Sequence, residues 1–199
     1  MKRRHCEVID PREISRILSS TNIGRLATSG ADGYPYITPV NFIWREGKIY
    51  FHSAVVGEKL DNLSREPKVC FEVDVPLAYL DTLLDPKGPV CKVHQLYQCV
   101  IIRGAARVVP DGSLKTATLN ALVAKHEGAQ DFDPVTPDMP AYKSCAVVEI
   151  EPVFMSAKSD LVQNRIDEER LALAKYLKGR NHPTDSAAVM AMGFDTEDL

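Results

Sequence analysis

The chain has 199 residues, 45% of them hydrophobic, and a formal charge of −3. That length buries a sizeable core and fits one domain with appendages, while the charge offers no basic field for nucleic acid or an anionic membrane, which favours a small molecule as partner. No stretch approaches the ~20 apolar residues of a membrane span, and the charged start Met1–Glu7 lacks the apolar run of a secretory signal, so a cytoplasmic protein is expected.

Asp10-Pro11-Arg12-Glu13 reads as a helix start, with Asp10 as N-cap, proline at the first helical position and Glu13 in the capping-box place. Ile14, Ile17 and Leu18 supply the apolar stripe, and Gly24 is expected to break the helix. A first strand begins at Arg25. The turn cluster Ser29–Gly33 predicts an antiparallel hairpin with the run Tyr34–Trp44, in which Pro35 and Pro39 mark an edge or a bulge. Glu46-Gly47 is the next turn and Lys48–Ser53 the third strand. Leu60 and Leu63 mark a short helix after Lys59, closed by Pro67, and Val69–Val75 alternates as a fourth strand.

Pro76–Pro89 holds three prolines and a glycine and reads as a loop outside the sheet. Tyr97–Val109 is a long strand with a bulge or bend expected at Gly104. Asp111-Gly112-Ser113 forms a turn and N-cap for a helix carrying Leu119, Leu122, Val123 and His126 at helical spacing. Asp131–Pro140 is irregular, Cys145–Glu151 is a last strand followed by Pro152–Met155, and Asp160–Leu177 reads as an exposed, charge-rich helix ending at Gly179. The tail 180–199, with its apolar patch Ala187–Met192, either docks or frays. The sum is mainly β: a small barrel of six or so antiparallel strands with peripheral helices, residues 1–155 forming the domain and 156–199 a helical extension packing on the barrel or on a dimer partner.

The motifs of dinucleotide-binding, phosphate-loop, serine-hydrolase and zinc-protease sites are absent. The five cysteines, Cys6, Cys70, Cys91, Cys99 and Cys145, are scattered without a CxxC and read as reduced thiols. Cys91, His94 and Cys99 lack a fourth ligand at sensible spacing, so no metal site is assigned. His126, on an apolar helix face, reads as packing. The informative stretch is Tyr50–Ala54 leading to Gly57-Glu58-Lys59. A strand end with His52 and Ser53, followed by a helix start with a lysine, offers hydrogen-bond donors, free N–H groups and a point charge to a phosphate. The alternative is a solvated lysine and a hydrogen-bonded histidine, and Glu58 would repel an anion unless it turns outward. Arg25 and Asn41 are polar positions in apolar runs that either lie near His52 or face solvent.

The ordered pieces Ile23–Thr28, Gly33–Tyr36, Pro39–Phe42, Ile49–Ala54, Gly57–Leu60 and Lys68–Glu72 resemble the flavin-binding split-barrel superfamily, and within it the pyridoxamine-phosphate-oxidase-like proteins that include Nim-type nitroimidazole reductases. The resemblance spans about residues 10–155. It implies a six-stranded antiparallel split barrel and a homodimer holding flavin mononucleotide (FMN) at its interface, with FAD or haem as lesser options. It places the phosphate on Lys59 beside His52 and Ser53; Arg25 is counted with them as a cofactor-binding candidate. The ring would lie along Thr38, Val40 and Asn41, and the partner subunit would supply Tyr97, Gln98 and Cys99. Glu58 stands where pyridoxamine-phosphate oxidases proper carry arginine, and Tyr36 and Asn41 replace basic residues of their second strand. The activity implied is flavin-dependent oxidation or reduction of a small molecule, with no residue identified as catalytic. The alternatives are a flavin-binding or storage module without turnover, and a haem-binding barrel using His52 or His94.

Overall fold

The computed structural model describes residues 4–84, 87–128 and 131–199. The expected charged start is therefore described only from Arg4, and Asp85 and Pro86 of the proline-rich stretch lie outside the described residues. Seven strands form among the described residues, β1 (Glu7–Val8), β2 (Ile23–Ser29), β3 (Pro35–Arg45), β4 (Lys48–Ala54), β5 (Lys68–Leu80), β6 (His94–Val109) and β7 (Cys145–Asp160). The α-helices are α1 (Pro11–Ser19), α2 (Glu58–Arg65), α3 (Ser113–Glu127), α4 (Pro140–Lys143), α5 (Asp167–Arg180) and α6 (Asp185–Ala191). The strands bond in the order β1–β7–β4–β3–β2–β5–β6, and β6 pairs again with β7. Strands β2 to β7 thus form the expected six-stranded ring, and β1 is a short addition on β7. The pairs β2–β3, β3–β4, β2–β5, β4–β7 and β1–β7 are antiparallel. The fold is a split barrel with peripheral helices.

Two compact units share the chain: a central one of residues 15–73 and 100–155, and a terminal one of residues 1–14, 74–99 and 156–199. Each of β5, β6 and β7 contributes one stretch to either unit. In the central unit Leu26, Phe42, Phe51 and Phe71 are fully buried, and the Phe42 and Phe71 rings meet edge to face at 5.1 Å. The opposite face of β3 and β4 lies under α3, where Ile43, Tyr50, Val109, Leu119 and Leu122 share a second apolar cluster. In the terminal unit Leu77, Leu80, Leu96, Leu173, Leu177 and Val189 form a core of their own.

The predicted start of α1 holds: the Arg12 N–H donates to Asp10 Oδ1 at 2.9 Å and the Ile14 N–H to Asp10 O at 3.0 Å. Several boundaries differ from expectation. Pro76 lies within β5, not in a loop, because it is exposed on a strand whose neighbours Leu77 and Ala78 are buried; a proline is tolerated where no ladder donor is needed. Strand β7 runs on through Pro152 to Asp160, so the helix expected from Asp160 starts at Asp167, where Asp167, Glu168 and Glu169 complement the helix dipole. That helix continues through Gly179 to Arg180, closes on Asn181 in the left-handed region (φ 54), and buries Leu173, Ala174 and Leu177 instead of standing exposed. Gly104 is not shown as a bulge but as a close approach: a Cβ there would fall inside contact distance of the Glu151 carbonyl oxygen. Ser113 is the first residue of α3 and Gly112 its N-cap; Asp111 instead bonds the Lys115 ammonium at 2.8 Å.

Candidate functional site

The end of β4 and the start of α2 form the stretch that the sequence singles out. Helix α2 is fixed against β2 by two polar anchors. The amide of the buried Asn62 donates to Thr28 Oγ1 at 3.0 Å, and Arg65 donates to the Ser29 carbonyl at 2.7 Å and to Asn62 Oδ1 at 2.8 Å. This orientation leaves the helix start open. Its N-cap is Gly57, whose φ of 131 suits only glycine and which has no side chain to cap the first turn. Lys59 is half-buried and has no ion-pair partner among the described residues, whereas Glu58 is exposed and free to stay in water. A phosphate fits these groups: unfilled N–H donors, a positive helix end and a lysine.

Strand alternation distributes the other expected residues over more than one surface. Along β3 Thr38 and Val40 face one way, Val40 being buried with Phe42, while Asn41 faces the other. The register sets Phe42 opposite Phe51, with Asn41 and His52 the next residues on either side. These two line one recess with α3, of about 240 Å³, whose other walls include Leu119, Leu122, Val123 and His126. Ser53, on the opposite face from its neighbour His52, donates its hydroxyl to the Ala54 carbonyl at 2.8 Å. Arg25 is half exposed and reaches Glu72 Oε2 at 3.1 Å, so its charge is already balanced.

Tyr97, Gln98 and Cys99 belong to the terminal unit. Gln98 is only 2% exposed, and its amide nitrogen is within bonding distance of Glu13 Oε1 at 3.1 Å and Ser159 Oγ at 3.0 Å. Its side chain is occupied within its own chain; Tyr97 and Cys99 are half-buried. Two larger hollows in that unit contain none of the ten expected residues. One, of about 490 Å³, is lined by Asp81, Arg165 and Glu169 among others, and one of about 320 Å³ by His5, Cys91, His94 and Asp160 among others. In the latter His94 Nε2 lies 3.1 Å from Asp160 Oδ1. Among the described residues no group of three or more His, Cys, Asp or Glu is arranged to hold a metal ion.

Sequence reading passed over His126. Leu119 and Leu122 of its stripe do pack, but with Val123 the same face forms the wall opposite Asn41 and His52. A histidine closing an apolar stripe at the helix end was the available signal. Burial first, then the charges of Lys125 and His52, push His126 below the usual imidazole value.

The chain resembles several solved structures at the level of fold. A candidate 5-nitroimidazole antibiotic resistance protein from Bacteroides thetaiotaomicron superposes with a TM-score of 0.64 at 20% identity, covering 76% of this chain and 85% of that one. The flavocytochrome Anf3 from Azotobacter vinelandii gives 0.67 at 20% identity, covering 86% and 78%. A FAD- and haem-binding protein from Mycobacterium smegmatis gives 0.67 at 14% identity, covering 83% and 78%. No curated protein matches the sequence. The family model for pyridoxamine 5'-phosphate oxidase matches residues 10–159, which takes in every strand from β2 to β6 and all but the last residue of β7, and the chain belongs to that family.

Proposed function

We propose that the protein is a flavin-dependent oxidoreductase of a small molecule, binding FMN with its phosphate at the start of α2. The uncapped first turn behind Gly57, with an unpaired Lys59 beside it, carries the reading. Ser53 adds a hydroxyl that can exchange its bond to Ala54 for one to the ligand. The ring would lie along β3 against Thr38 or Asn41, and Arg25 would stay with Glu72 as a charge at the edge of the site. A bound flavin supplies hydride or single-electron transfer; the chain supplies position and electrostatics. The flavocytochrome and the FAD- and haem-binding protein among the similar folds support a flavin. Haem ranks behind it, because His94 Nε2 is already engaged by Asp160 and His52 is exposed.

A second copy of the chain is the proposed partner. Ile37, Val55, Val56, Val153 and Phe154 of the central unit are each at least half exposed, apolar side chains that a homodimer would cover. The five free thiols suit the cytoplasm.

Replacing Lys59 with alanine removes a charge-assisted contact worth about 1.5–3 kcal/mol, so FMN affinity measured by fluorescence quenching should fall roughly 10- to 100-fold. Unchanged affinity would refute the phosphate assignment. Oxidation of NADH or NADPH by the flavin-loaded protein separates an oxidoreductase from a binding module, which would show none.

A further inference from the structure

Helix α2 is held on β2 by buried polar groups where apolar ones would have sufficed for stability. Thr28 on β2 is 4% exposed and Asn62 on α2 only 1%. The Asn62 amide nitrogen donates to Thr28 Oγ1 at 3.0 Å, its oxygen accepts from Arg65 at 2.8 Å, and Arg65 also donates to the Ser29 carbonyl at 2.7 Å. Replacing both partners of a buried hydrogen bond by apolar groups of the same shape is nearly neutral, so burial of the helix does not by itself call for this arrangement. What a matched polar network adds is a single geometry. Leu63 is buried beside Asn62, but one apolar side chain would let an eight-residue helix slide or roll on its sheet. Lys59 lies three residues before Asn62 on the same side of the helix, so any shift at Asn62 is carried to it. The Leu60 and Asp61 N–H groups donate back to Gly57 O at 2.9 and 3.2 Å, which makes those of Glu58 and Lys59 the donors that the first turn leaves over. Charge-assisted bonds form at about 2.7–2.9 Å, a narrow range for a helix that is free to slide.

We infer that Thr28, Asn62 and Arg65 are positioning residues for the anion at the start of α2, and that the bond between Asn62 and Thr28 sets how tightly the phosphate is held there. The inference rests on the proposed FMN phosphate at that helix start. None of the three side chains is assigned a contact with the ligand; they act through Lys59 and the open N–H groups.

FMN and riboflavin, identical except for the phosphate, test it on the full-length protein by fluorescence quenching. The wild type should hold FMN at least about tenfold tighter than riboflavin. Thr28→Val keeps the shape but removes the acceptor of the Asn62 amide, so FMN should bind about fivefold more weakly while riboflavin changes by less than about twofold. Thr28→Ser restores the hydroxyl and should bring FMN back to within about twofold of the wild type. General damage to the fold moves both flavins alike, so their ratio separates positioning from a merely structural role. Should Thr28→Val fail to fold, Asn62→Leu is read by the same ratio. Wild-type FMN affinity in the folded variant, or equal losses for FMN and riboflavin, would overturn the inference. A wild type that binds the two flavins equally, or neither, refutes the phosphate reading before any substitution at Thr28 is made, and the inference falls with it.

Discussion

Replacing Gly24 with alanine tests how the central unit is built. Gly24 sits in β2 opposite Val40, and a Cβ added there would lie 2.6 Å from Cε1 of Phe71 and closer still to its Cζ. Carbon atoms in contact rest at about 3.5–4.0 Å, so the ring would have to retreat by more than an ångström. It has nowhere to go. Phe71 is fully buried and set edge to face on Phe42, and the Phe42 ring carries the Lys125 ammonium at 4.3 Å on its other contacts. Lys125 in turn donates to the carbonyls of Thr21 and Phe42 at 2.7 and 3.0 Å. Overpacking of this kind costs about 1–3 kcal/mol, and the depth of the overlap argues for the upper end. Urea unfolding should show a loss of about 3 kcal/mol at unchanged slope, with the melting temperature lower by about 6–12 °C at 2–4 °C per kcal/mol. Phe71→Leu removes the colliding ring atoms, so Gly24→Ala should cost at least about 1 kcal/mol less in that background than in the wild type. A Gly24→Ala protein as stable as the wild type, or strictly additive effects in the pair, would refute the argument.

Two other polar networks give predictions of their own. Glu149 is buried and accepts from Tyr50 Oη at 2.8 Å and Arg107 Nε at 2.7 Å, with Lys48 at 3.4 Å. Glu149→Gln should cost about 2 kcal/mol by denaturant titration. Burial alone would raise the Glu149 carboxyl, but the bonds from Arg107 and Tyr50 outweigh it and hold it below the usual range. Its contribution is therefore complete above the unfolded carboxyl value of about 4.3 and is lost as pH falls through the lower folded value. The stability gap between wild type and Glu149→Gln should narrow on acidification across that window; a gap that widens there contradicts the assignment. Arg180 bonds the buried Asp185 at 2.9 and 2.6 Å, Asp81 at 2.7 Å and the Tyr79 carbonyl at 2.9 Å. Arg180→Ala leaves Asp185 buried without its cation and should cost about 3 kcal/mol, with amide exchange in α6 accelerating more than in β2.

Much of the central unit was legible because its signals are local. The Ser29–Gly33 turn between two alternating runs fixes the β2–β3 hairpin, and Asp10-Pro11 fixes the start of α1. The misplaced boundaries lie where a local rule met a tertiary exception. Pro76 and Pro152 read as breakers, yet each occupies a strand position that tolerates a missing donor. The start of α5 was obscured by the charge of Asp160, which is a strand residue paired with His94, although the acidic trio Asp167–Glu169 marks the true first turn. The open helix start at Lys59 was readable as strand end, glycine and lysine in succession. The division of Thr38 and Val40 from Asn41 was readable too, from alternation alone. The opposition of His126 to His52 was not, since it depends on α3 folding back over β3 and β4 across many intervening residues. Likewise Gln98 looked available on a strand, and only the positions of Glu13 and Ser159 reveal where its amide is used.

The three-part make-up of the terminal unit has a consequence for how the protein is made. As the chain leaves the ribosome, residues 15–73 and 100–155 are complete before residues 156–199 exist, and β1 waits for Ala157 and Lys158 to arrive as its pairing partners. Until then Leu77, Leu80 and Leu96 have neither α5 nor α6 to cover them. Newly synthesised chains therefore pass through a stage with that apolar surface bare, and a chain stopped just after Met155 should be a strong client for chaperones while the finished protein is not.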